Sequence, residues 1–136
     1  MDLVLRILKT VPLFQSLSEH EHLSILYHIN MQFYPAHYSL FKKGDFGESM
    51  YIIKSGTLRL SDEKGEIATL NEGDFFGEMA LIESAPRMAD AETLSDCEIF
   101  ILKKEDFAPF LHENPEIAGK IQAAYESRKI ENQKKL

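Results

Sequence analysis

The sequence predicts a mainly β domain with flanking helices: an antiparallel jelly-roll β-barrel, with N-terminal helices before it and C-terminal helices after it. Three observations predict it. Apolar residues recur at helical spacing before residue 30 and again after residue 103. Between them, short β-type runs follow one another about ten residues apart. Turns rich in glycine and aspartate separate those runs, the punctuation of an antiparallel barrel or jelly roll. The expected boundaries are N-terminal helices over 1–30, a β-roll over 31–103 and C-terminal helices over 104–136, in one domain of 136 residues.

The first helix rests on Leu3, Val4, Ile7, Leu8 and Val11, and Pro12 ends it. Ser18 with Glu21 three residues on forms a capping box. A second helix then runs to about Ile29, with Leu23, Ile25, Leu26 and Ile29 as its core face. The strands expected are Met31–Tyr34, Tyr38–Phe41, Met50–Ser55, Thr57–Ser61, Glu66–Leu70, Met88–Thr93 and Cys97–Leu102. In the fourth, Leu58 and Leu60 alternate with polar neighbours, so one face points in and the other out. Phe107, Phe110 and Leu111 restart the helical period. Asn114-Pro115-Glu116 reads as cap, first-turn proline and an acid that complements the helix dipole. The last helix carries Ile117, Ile121, Ala124 and Tyr125 along one stripe.

Composition excludes several classes. Apolar residues make up 44% and charged residues 27%, so the chain can bury a core and is not a disordered segment. No apolar run nears the ~18 residues of a membrane span, and Asp2, Arg6, Lys9 and Pro12 interrupt the start too often for a secretory signal. Cys97 is the single cysteine, which rules out an internal disulfide and suits a reducing, cytoplasmic setting. The net charge is −7, the wrong sign for a nonspecific duplex binder, although Lys120, Arg128, Lys129, Lys134 and Lys135 make the C-terminal run locally basic.

The segment from Asp74 to Ala89 is too long for a plain hairpin connection and holds the chemistry. Gly77 permits a close backbone approach or a positive φ. Glu78 to Ile82 can form one helical turn whose free N–H groups would face an anion. Pro86 stiffens the approach to Arg87, a permanent cation that forks onto two phosphate oxygens. Glu78 is an acceptor suited to a sugar hydroxyl. Taken on spacing alone, an ordinary Glu78–Arg87 ion pair accounts for these two residues as well.

This stretch resembles the phosphate-binding cassette of the cyclic nucleotide-binding domain family, whose pattern runs F-G-E, Leu or Ile, A-L, four variable residues, P-R, a small or hydroxyl residue and Ala. Phe76 to Ala89 follow it without a gap. Val11-Pro12-Leu13-Phe14, Leu17-Ser18, Gly44-Asp45, Tyr51-Ile52-Ile53, Gly56 and Gly73-Asp74 resemble the family's other anchors in order. The resemblance implies a cyclic nucleotide sensor with no catalytic activity and no metal. Its ligand-binding set is Phe76, Gly77, Glu78, Met79, Ala80, Pro86, Arg87, Met88 and Ala89. Arg87 would hold the phosphate oxygens and Glu78 the ribose 2′-hydroxyl. Backbone N–H groups of Gly77, Ala80, Met88 and Ala89 would complete the cradle, with the last helix as a lid.

Two positions depart from the pattern. Met88 stands where cGMP-selective members often carry a threonine, which implies cAMP rather than cGMP. Asp90 stands where Thr, Ser or Asn is usual. Facing the phosphate it would repel the ligand, and facing outward it would not. Asp90 therefore motivates the alternative, a degenerate fold that serves as a docking or dimerisation module. The partners implied are a cyclic nucleotide, and either a second copy through the C-terminal helix or an effector protein. Neither membrane nor direct nucleic-acid contact is expected; DNA-reading members carry a helix-turn-helix beyond the long helix, so a chain complete at Leu136 would not read DNA directly, whereas in a fragment the missing part decides the output. His20 and His22, two apart on a helix, point in different directions and do not read as a metal pair.

Overall fold

A computed structural model describes residues 2–134, with side-chain surroundings for 3–130. Helix α1 (Asp2–Leu8) leads through a 3-10 turn (Pro12–Phe14) to α2 (Glu19–Leu26). Ten strands follow: β1 (Ile29–Tyr34), β2 (Ser39–Phe41), β3 (Phe46–Gly47), β4 (Ser49–Ser55), β5 (Leu58–Asp62), β6 (Gly65–Leu70), β7 (Phe75–Phe76), β8 (Ala85–Pro86), β9 (Asp90–Thr93) and β10 (Cys97–Lys103). Helices α3 (Lys104–Glu113) and α4 (Pro115–Lys134) complete the described residues. The basic side chains of Lys134 and Lys135 lie outside them.

The strands pair antiparallel in two four-stranded sheets, β1-β10-β4-β7 and β2-β9-β5-β6, with β3 and β8 as a separate ribbon. The arrangement is a jelly-roll-like fold whose two sheets are not hydrogen-bonded into a closed barrel. The alternation of β4 and β10 builds two cores. Ile53, Ile99, Ile101 and Cys97 face the other sheet and meet Leu58 and Ala91. Met50, Ile52 and Leu102 face the opposite way, onto Leu8, Phe14, Ile25, Phe107 and Ile121 of the helices. Each of these leucine, isoleucine, methionine and phenylalanine side chains contributes roughly 1.5–3 kcal/mol when fully buried.

The expected strands all form. The two-residue strands β3, β7 and β8 were not expected, since a pair of residues carries no periodicity and exists only through its partner. In α2 the capping box is present: Glu21 N donates to Ser18 Oγ and Ser18 N to Glu21 Oε1. The helix stops at Leu26, and Ile29 opens β1. Its inner face is also rotated from the expected one. Leu23 is 40% exposed while His22 is buried, because His22 Nε2 lies 2.7 Å from the Phe14 carbonyl and is held under the 3-10 turn. Asn114 does not act through its amide on α4 as expected. Its Nδ2 donates back to the Phe110 carbonyl at 2.7 Å and closes the end of α3. The stripe of α4 expected to meet a partner is used internally: Ile117, Ile121 and Tyr125 are buried in the chain's own helical core.

Candidate functional site

The segment between β7 and β9 takes its shape from Gly77. Its φ is +83°, and a Cβ there would stand 2.8 Å from the Ser49 carbonyl oxygen. Both facts restrict the position to glycine. Glu78–Leu81 then forms a single 3-10 turn. Leu81 anchors this turn in the helical core. The Ala80 N–H, expected to be free for an anion, donates to the Gly77 carbonyl at 3.1 Å.

The return limb is set by the β3–β8 ribbon, which pairs Phe46 with Pro86 and Gly47 with Ala85. Arg87 N donates to the Asp45 carbonyl at 2.6 Å, and Gly44 N to the Arg87 carbonyl at 2.9 Å. The backbone of Arg87 is thus held by the β2–β3 turn. Its side chain runs inward across Gly47, where a Cβ would lie 2.3 Å from Nε. Nη2 donates to the Ser49 carbonyl at 2.9 Å. Cζ sits 4.5 Å from the Phe41 ring centroid and 5.5 Å from that of Tyr51. Burial pushes the guanidinium below its ordinary value, with the Tyr51 phenol opposing that shift. Among the described residues no carboxylate pairs with Arg87. A half-buried cation without a counter-ion is costly, and an arriving anion relieves that cost.

A cavity of about 280 Å³ opens over this arrangement. Phe76, Gly77, Met79, Ala80, Pro86, Arg87, Met88 and Ala89 line it, together with Phe41, Leu60, Glu83 and Ala85. Met88 is 82% exposed at its rim. Larger depressions of about 460 and 400 Å³ lie against α1 and between the first 3-10 turn and α4. Neither includes Arg87 or any cassette residue, so chemistry rather than size selects the site.

Glu78 is the one expected site residue that does not line the cavity. It is only 9% exposed, and its Oε1 lies 3.8 Å from Arg128 Nε on α4. Burial raises its carboxyl above the usual range, against the pull of its own backbone amide and Arg128. The ordinary Glu78–Arg87 ion pair is not what forms. Glu83 is a second tie to α4. It accepts from the Tyr125 hydroxyl and lies 3.7 Å from Lys129 Nζ. Those contacts lower the Glu83 carboxyl and push the Tyr125 phenol up to about 12.

Asp90 faces away from the cavity. Its Oδ1 accepts from Lys43 N at 2.7 Å, and burial alternates along β9 so that Ala91 and Thr93 point in while Asp90 and Glu92 do not. Asp90 is therefore in the outward orientation, not the one that motivated a degenerate pocket. Sequence reasoning missed Phe41, Gly47 and Ser49. Gly47, three residues after Gly44, was the available signal: a second glycine beside a turn that needs only one.

The chain belongs to the cyclic nucleotide-binding domain family, whose model matches residues 31–114. It is 31% identical over 121 residues to the cyclic AMP receptor protein of Thermus thermophilus, covering 85% of this chain and 56% of that protein. It is 34% identical over 105 residues to the cAMP-dependent protein kinase regulatory subunit of Candida albicans, covering 76% of this chain and 23% of the relative. Among solved structures, the regulatory domain of Toxoplasma gondii PKA crystallised with cAMP superposes with a TM-score of 0.70 at 32% identity, over 79% of this chain and 43% of that one. The chain therefore spans about half, or less, of the length of these proteins. It is a cyclic nucleotide-binding regulatory domain by family. Among the described residues no helix is long and apolar enough to cross a membrane, and no group of three His, Cys, Asp or Glu side chains could hold a metal ion.

Proposed function

We propose that residues 1–136 act as one sensor unit that binds cAMP in preference to cGMP, without catalysis and without a metal, in the cytoplasm. The observation that carries this reading is Arg87: a half-buried guanidinium with no carboxylate partner among the described residues, facing a cavity framed by the cassette. A cyclic monophosphate carries one negative charge, which one guanidinium and nearby amides can balance. Gly77, Met88 and Ala89 supply backbone N–H groups, and Phe76, Met79, Ala80 and Pro86 shape the walls. The remaining lining is largely apolar and suits a purine face, and Met88 offers guanine no hydroxyl.

Glu78 is the ribose acceptor in this reading. It now faces Arg128. Turning it to a sugar hydroxyl loosens a tie between the cassette and α4, and so carries occupancy to the C-terminal helices. Couplings of this kind are typically ~1–3 kcal/mol. The output partner, an effector protein or a second copy, reads that change.

Calorimetry with cAMP and cGMP tests the proposal. Tighter binding of cAMP, and a loss of more than about tenfold in Arg87→Ala, are expected. No heat and no thermal shift with millimolar cAMP would overturn it.

A further inference from the structure

The Arg87 guanidinium is enclosed without any acid among the described residues. Phe41 from β2 covers it at 4.5 Å and Tyr51 from β4 at 5.5 Å, with the two rings 6.0 Å apart. Phe76 stacks on Tyr51 at 4.9 Å with 17° between planes and backs that ring. Gly47 and Gly77 leave room along the edges of the group, and Ser49 O takes one Nη2 hydrogen. Aromatic faces attract a cation through their quadrupole but take up none of its in-plane donors. A carboxylate in the same place would form a forked pair, occupy two donors and cancel the charge.

We propose that Phe41 and Tyr51 are positioning residues: an aromatic clamp that orients Arg87 while leaving its charge and its remaining N–H donors available to an anionic phosphate. The inference rests on the cyclic nucleotide reading for its ligand, but the clamp itself is a property of the protein alone. The ring faces carry it, and the Tyr51 hydroxyl, which also hydrogen-bonds the guanidinium, adds to the hold.

Side-chain NMR of Arg87 in the full chain tests the clamp directly. Held in the corner that the two rings form, the guanidinium should show ring-current-shifted δ-protons and slowed rotation about its Nε–Cζ bond. Tyr51→Phe should keep that signature, and Phe41→Leu with Tyr51→Leu should abolish it. In calorimetry with cAMP, Tyr51→Phe should bind more tightly than Tyr51→Leu, because it keeps the ring face. Each Leu change should weaken binding by about threefold and both together by about tenfold, the scale of a partly desolvated cation–π contact. The same pair placed in an Arg87→Ala chain should cost nothing further.

A freely rotating Arg87 in the unmodified protein, or a signature that survives both Leu changes, overturns the clamp without any need for ligand. Unchanged cAMP affinity in the double Leu chain overturns it too, and leaves the cyclic nucleotide reading standing. The opposite result separates the two claims: a constrained Arg87 released by the Leu changes, with no cAMP binding at all, keeps the clamp and removes the nucleotide.

Discussion

Replacing Gly47 by alanine should disable binding while leaving the fold nearly intact. Gly47 is not among the residues with positive φ, so alanine meets no backbone strain there. The obstacle is space: its Cβ would lie 2.3 Å from Nε, 2.5 Å from Cζ and 2.8 Å from Cδ of Arg87. All three atoms belong to a side chain, and a side chain yields before a strand does. Arg87 must therefore swing away from Ser49, Phe41 and Tyr51. Folding loses a charged hydrogen bond, ~1.5–3 kcal/mol before hydration of the released group is counted. It loses the ring contacts as well, ~0.5–2 kcal/mol. It gains ~0.4–1 kcal/mol because alanine restricts the unfolded chain. With the released guanidinium regaining hydration, the net change should stay below about 2 kcal/mol.

Binding should suffer more, since a misplaced guanidinium forfeits one or more charge-assisted bonds to phosphate, about 10–100-fold in affinity. Calorimetry with cAMP and a thermal melt measure the two effects on one sample. Parent-like affinity in Gly47→Ala would refute the geometry given to Arg87. So would a further large loss on adding Gly47→Ala to Arg87→Ala. Gly77→Ala makes the contrasting case. Its positive φ and the backbone oxygen 2.8 Å away should destabilise the fold itself.

Asp90→Asn should leave cAMP affinity within about threefold, because the carboxylate serves Lys43 N rather than the cavity. A rise of more than tenfold in calorimetry would show that Asp90 had been repelling the phosphate. Glu78→Gln should separate stability from binding. Burial raises the Glu78 carboxyl, so it favours folding below its unfolded value near 4.5 and loses that contribution as pH rises through the folded value. Glu78→Gln should therefore melt at or above the parent at pH 8, with the gap closing toward pH 4, and bind cAMP about tenfold more weakly. A lower melting temperature at pH 8 would refute the raised carboxyl. Ile121→Ala, at a fully buried contact of α4, should cost about 2–5 kcal/mol in urea denaturation. A loss under 1 kcal/mol would mean that α4 does not pack as described.

The sequence by itself determined whatever is encoded over a few residues. The Ser18–Glu21 box, the order of helices and strands, and a single turn after a left-handed Gly77 depend on local geometry and are present, although α1 stops at Leu8, α2 stops at Leu26 with its inner face rotated, and the Ala80 N–H is used within the turn. The cassette was legible for the same reason, being one unbroken run from Phe76 to Ala89. Only the tertiary structure decided what surrounds those residues. Arg87 is held by Phe41, Gly47, Ser49 and Tyr51, which lie some 36–46 positions earlier and reach it through strand pairing. Glu78 turns to Arg128 because α4 packs over the cassette, and Asp90 turns outward because the β2–β3 turn presents it with an N–H. Pattern and propensity set where the chain is helix, strand or turn. The direction a charged side chain takes depends on which partner is nearest in space, and chain folding brings that partner from far along the sequence.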